Sequence, residues 1–158
     1  SLMQAIDGLL EMRTKEGQNL LTDLMLRTDF ILNEVKKLEL RSPLLAQEYQ
    51  EKLRSRIREM IAQETVDESR ILQEVAIFAD RVSITEEIVR LQSHVKQFNE
   101  VLNNGDEAVG RKSDFLVQEM FREINTVASK ANDIEMGQIV ISVKAELEKI
   151  REQLQNIE

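Results

Sequence analysis

Between Met3 and Leu40 the apolar positions Ile6, Leu10, Leu20, Leu24, Ile31, Val35 and Leu38 are separated by steps of three, four and seven except across Leu10 to Leu20, the spacing that lines one face of an α-helix. Arg13 and Gly17 interrupt this stripe. Ser42-Pro43 follows it, and proline disfavours helical geometry at the residue before it. A second stripe then begins with Ala46, Tyr49, Leu53, Ile57 and Met60. Helix, short turn and helix predict an antiparallel hairpin over residues 1–65.

Residues 66–158 carry four further stripes and predict a helical bundle. Asp67 is a good N-cap for a helix burying Ile71, Val75, Ala79 and Val82. Ser83-Ile-Thr-Glu86 matches the capping box. It opens the cleanest stripe, Ile84, Ile88, Leu91, Val95, Phe98 and Leu102. Asn103-Asn104-Gly105-Asp106 is the strongest loop signal, with a connection expected to run to Gly110. One more stripe holds Leu116, Met120, Ile124, Val127 and Ala131, and the last holds Met136, Val140, Val143, Leu147, Ile150, Leu154 and Ile157. The expected fold class is all-α, a long hairpin followed by a four-helix bundle-like region.

Composition narrows the function classes. Five glycines and one proline in 158 residues are too few for the turns of a sandwich or barrel. With no cysteine, a disulfide or thiolate metal site is excluded and a metal would be held by oxygen and nitrogen. A reducing cytoplasm fits, no apolar run reaches the roughly 18 residues of a membrane span, and the N-terminal residues lack the basic-then-apolar pattern expected of a signal peptide. A net charge of −8 argues against a generic nucleic-acid binder, with the excess acid concentrated in residues 66–110. The basic run KLRSRIR, residues 52–58, has little aromatic interleaving and reads as a solvated face. A helix-turn-helix DNA binder is disfavoured, for want of a short basic recognition helix.

Polar columns flank the stripes. Glu87 and the single histidine, His94, fall on one shoulder of their helix, with Arg90 a little further round. Lys112, Glu119, Glu123, Thr126 and Lys130 form a similar column on the next helix, Lys144 and Arg151 flank the last stripe, and Glu74 lies beside an earlier one. Two readings stay open. A shoulder Glu commonly has a Lys or Arg partner in solvent, and a shoulder His is commonly just hydrogen-bonded. Carboxylates at i and i+4, as at Glu119 and Glu123, repel unless a cation, basic neighbour or water separates them. There is no Glu-x-x-His, no HExxH and no phosphate-binding glycine loop.

The stretch GRKSDFLVQEMFREINTVASKAND, residues 110–133, preceded by DESRILQEVAIFADRVSITEEIVRLQSHVKQF and followed by KAELEKIREQLQNIE, resembles the C-terminal half of the YicC/YloC family of bacterial proteins. Ser113, Phe121 and Val127-Ala128 depart from the family pattern without removing a candidate catalytic group. The resemblance implies a cytoplasmic, divalent-metal-dependent endoribonuclease that assembles as an oligomer, typically a hexamer, around RNA. It also implies an N-terminal, sheet-containing domain, so the chain is expected to be a fragment.

By the same resemblance the residues carried over are Glu74, Glu87, Arg90, His94, Arg111, Lys112, Asp114, Gln118, Glu119, Arg122, Glu123, Asn125, Lys130, Lys144, Glu148 and Arg151. Glu87, His94, Glu119 and Glu123 are the expected catalytic groups, with His94 as general acid or base. Glu74, Glu119 and Glu123 are expected to hold Mg²⁺ or Mn²⁺. Arg90, Arg111, Lys112, Arg122, Lys130 and Arg151 are expected on RNA phosphates. The competing class is a non-catalytic helical module that drives oligomerisation or docks RNA or another ribonuclease, its polar cluster a buried ion network.

Overall fold

The computed structural model describes residues 2–61, 65–105 and 108–156. They form five helices: α1 (Leu2–Met60), α2 (Glu68–Val82), α3 (Thr85–Asn104), α4 (Val109–Lys130) and α5 (Ile134–Gln155). The all-α expectation holds. The stripes of α3, α4 and α5 also do their expected work: Leu91, Val95, Phe98, Met120, Ile124, Val127, Val143, Leu147 and Ile150 are fully buried in one core, whereas the α2 stripe leaves Val75 and Ala79 only half-buried. Helix α3 packs on α4 and α4 on α5, while α1 packs on α2, α3 and α5.

The expected hairpin does not form. Helix α1 continues through Ser42 and Pro43 as a single element of 59 residues, roughly 90 Å long at 1.5 Å per residue. An interior proline forfeits one helical hydrogen bond and costs about 3 kcal/mol. Neighbouring interactions offset that cost. Leu38 and Leu45 are buried on either side of the proline. Between them Arg41 donates to Glu48 on the next turns (2.6 Å) and to Asp133 at the start of α5 (2.9 Å). The core thus draws on α1 from Leu24 to Leu45, whereas residues 2–19 are exposed along their whole length.

Helices α2 and α5 start on side-chain caps, whereas α3 and α4 start at Ile84 and Ala108 without one. Asp67 accepts from the backbone N–H groups of Ser69 and Arg70, and Asp133 from that of Met136. The expected capping box at Ser83 is absent: Ile84 is the N-cap of α3 with no side-chain cap, and Ser83 instead ends α2. Burial of Ile84 decides this boundary. Gly105 closes α3 at φ 64°, a left-handed conformation that disfavours a Cβ. Gly105→Ala is expected to lower stability by about 1 kcal/mol, read as a shift of the urea midpoint. Asp106 and Ile157 lie outside the described residues.

The carboxylates that tie the helices together make stability acid-sensitive. The Arg41 hydrogen bonds hold Asp133 below its ordinary value of 3.8. Burial pushes Glu146 up, but hydrogen bonds from Lys149 and Arg27 outweigh it and leave its carboxyl below 4.5. A depressed folded value means that the stabilisation is complete above the ordinary value and is lost as pH falls through the folded one. The thermal midpoint is therefore expected to stay level from neutrality to about pH 5 and to fall below it. A midpoint that rises on acidification would contradict the pairing.

Candidate metal and phosphate site

The site is built between α3 and α4, each of which lays its apolar stripe into the core and leaves a polar shoulder at the seam. His94 stands on α3, with Glu119 and Glu123 one turn apart on α4. One ligand atom from each of these three side chains lies within 4.8 Å of the others. His94 Nδ1 is buried and has no hydrogen-bond partner. An imidazole nitrogen withdrawn from water and left unpaired costs free energy unless something occupies it. Two carboxylates nearby supply the charge to hold a cation. One nitrogen and two oxygens form a mixed donor set that suits Mn²⁺ and is acceptable to Mg²⁺. The residues therefore fit a divalent ion.

Beside this trio runs a network of ion pairs. Arg90 Nε donates to Glu123 Oε1 at 2.9 Å, and its Nη2 is 3.6 Å from Glu87 Oε1. Glu86 is a third partner of Arg90, at 3.4 Å. Glu87, only 2% exposed, accepts from Lys130 Nζ at 2.6 Å, and the same ammonium donates to the Ser83 carbonyl at 3.2 Å. Burial pushes the Glu87 carboxyl up, but the Lys130 hydrogen bond and the charges of Lys130 and Arg90 outweigh it and hold it below its ordinary value. Glu87 is thus an anion in the fold, its Oε2 buried without a partner. Arg122 lies 3.7 Å from Glu119 and is largely exposed.

The remaining expected residues scatter. Glu74 is exposed on α2, which packs on α1, and it is not part of the ligand trio. Arg111 and Lys112 are exposed in the first turn of α4. Arg151 on α5 pairs with Glu148 at 2.8 Å and lies over the Phe121 ring at 6.0 Å. Sequence reasoning missed Glu86 as a partner of Arg90, although the i, i+4 spacing on α3 signals it. It also missed the stacking of Tyr49 on Phe78, for which no sequence signal exists because the rings come from different helices.

A family model described as endoribonuclease YicC-like, C-terminal, matches residues 38–158. The chain belongs to this YicC-like family. A protein of Clostridioides difficile (strain 630) named probable endoribonuclease YicC is 48% identical over 162 residues, which cover 99% of this chain and 55% of that protein. A protein of the same name from Haemophilus influenzae is 38% identical over 161 residues, with the same shares covered. The chain spans about half the length of these YicC relatives. Among the described residues, no helix is long and apolar enough to cross a membrane.

Proposed function

We propose that this chain is the catalytic half of a divalent-metal-dependent endoribonuclease. The observation that carries the reading is the convergence of one ligand atom each from His94, Glu119 and Glu123, on a histidine whose Nδ1 is buried without a partner. The probable endoribonuclease relatives supply the substrate class, RNA. His94, Glu119 and Glu123 would hold the ion, which when bound supplies Lewis-acid charge to a phosphate oxygen and lowers the pKa of a nucleophilic hydroxyl or water.

The chain's own residues perform the rest. Glu87 stays ionised and faces Arg90, and Arg90 reaches Glu123. The Arg90 guanidinium is thereby fixed at the rim, where a phosphodiester would meet it. Arg122, beside Glu119 and largely in solvent, is placed for a flanking phosphate. This assigns His94 to ligation in preference to proton transfer. It also leaves Glu74 out of the ligand set. A protein of negative net charge can act on RNA because a bound cation reverses the field locally. The reading includes assembly as an oligomer, for which the exposed row Leu2, Met3, Ile6, Leu9, Leu10 and Met12 offers an apolar surface.

One observation favours the non-catalytic alternative: Glu123 is already neutralised by Arg90, so the seam can serve as an ion network without metal. Cleavage of an end-labelled single-stranded RNA with Mn²⁺, beside an EDTA control, separates the two. Metal-dependent cutting supports the enzyme; assembly and RNA docking that ignore EDTA, without turnover, would support the scaffold.

A further inference from the structure

On the other side of Lys130 from Glu87 opens a cavity of about 470 Å³ between α1, α2 and the end of α4. Its wall includes Tyr49, Lys52, Phe78, Arg81 and Lys130. A second cavity, of about 440 Å³, continues along α1 and shares Tyr49 and Lys52 with the first, adding Arg56. Together they form one groove. Volumes of this size are those of small-molecule sites.

Three features give the groove a chemical character. The Tyr49 and Phe78 rings stack at 4.0 Å with an interplanar angle of 10°. Tyr49 lines both cavities whereas Phe78 lines only the first, so Tyr49, backed by the half-buried Phe78, is the ring at the junction of the two. Among the described residues Lys52, Arg56 and Arg81 have no ion pair, although Lys52 lies in the field of Glu48, and the acidic wall residues Glu48 and Asp133 share the one charge of Arg41. The walls carry four cations, Lys52, Arg56, Arg81 and Lys130, against the two carboxylates Glu48 and Asp133. Finally, Lys130 joins the groove to the metal trio through Glu87, Arg90 and Glu123, a continuous chain of ion pairs.

We propose that this groove is a subsite for single-stranded RNA beside the scissile phosphate, with one base stacked on the Tyr49 ring and neighbouring phosphates on Lys52, Arg56 and Arg81. The inference rests on the endoribonuclease reading and adds how the substrate is held. An aromatic platform between cations is the common device for unpaired bases, because every base has a stacking face. A duplex hides those faces. The basic run of residues 52–58 thus gains the aromatic partner it lacks in sequence, from the preceding turn of α1 and from α2.

Binding of a labelled single strand of about ten nucleotides, within the site sizes of single-strand grooves, tests the inference when measured by fluorescence anisotropy in EDTA so that nothing is cut. Tyr49→Ala is expected to weaken binding about tenfold, and Tyr49→Phe, which keeps the stack, to change it by less than about twofold. Lys52→Glu/Arg81→Glu alters only exposed side chains and leaves helicity intact. It should weaken binding further and flatten the salt slope by about 1.4, roughly 0.7 for each lost phosphate contact. The annealed duplex should bind less tightly than the single strand. Parent-like binding by these variants, while Glu119→Gln/Glu123→Gln still abolishes cleavage, overturns the groove and leaves the endoribonuclease reading standing. If the parent neither binds nor cuts RNA, both fall. Equal binding of duplex, single strand and an acidic peptide marks a generic cationic surface and also overturns it.

Discussion

Glu119→Gln/Glu123→Gln is expected to reduce Mn²⁺-dependent RNA cleavage at least about a hundredfold, because losing even the outer hydrogen-bond partners of a metal site costs 10–100-fold and these residues would be ligands. The substitution keeps shape and volume and removes both negative charges. The new side-chain amide at position 123 would still offer its carbonyl oxygen to Arg90, so the α3–α4 seam should hold and circular dichroism should report unchanged helicity. His94→Ala should show the same loss through the nitrogen donor. Initial rates on end-labelled RNA measure this directly. A variant that retains more than about half of the parent's rate would remove the trio from the mechanism.

Lys130→Met should destabilise the fold by about 2 kcal/mol. Removing one partner of a fully buried ion pair costs about 3–5 kcal/mol. Here the Lys130 side chain is 34% exposed and Arg90 remains 3.6 Å from Glu87, so solvent and the second cation soften the loss. The residual cost arises because Glu87, ionised in the fold, would be left buried with both oxygens poorly satisfied. Adding Glu87→Leu to Lys130→Met should recover most of the stability, since an apolar pair of similar volume has no charge to desolvate. Urea titrations of the single and double variants complete the cycle. A single variant as stable as its parent would show that Lys130 is not the counterion of Glu87.

What could be read from the chain beforehand was whatever depends on one helix at a time. The stripes of α3, α4 and α5 predicted the buried residues almost position by position, because amphipathic periodicity and core burial have the same cause. Pro43 misled because its local penalty was set against nothing. Only the fold shows Leu38, Leu45 and the Arg41 pairs that hold the helix together through it. Ser83 misled in the same manner, its capping preference yielding to burial of Ile84.

The site was half legible. Glu119 and Glu123 could be placed on one face of one helix, and His94 on the shoulder of another. That these shoulders meet depends on the rotation of α3 against α4, which no single stripe encodes. Glu74 shows the converse. Its shoulder looked equivalent on paper, yet α2 packs against α1 and presents it to solvent.

Helix α1 also has a consequence for the molecule's dynamics. Residues 2–19 have no part in the core, whereas Leu24 to Leu45 are embedded in it. An isolated segment of about 18 residues is a marginal helix in water. One continuous rod therefore carries two very different opening energies. Its amides should trade hydrogen for deuterium through local fraying in residues 2–19 and only through concerted opening of the bundle between Leu24 and Leu45. Backbone protection would climb along the rod from residue 19 to Leu24 with no break in the helix to mark the change.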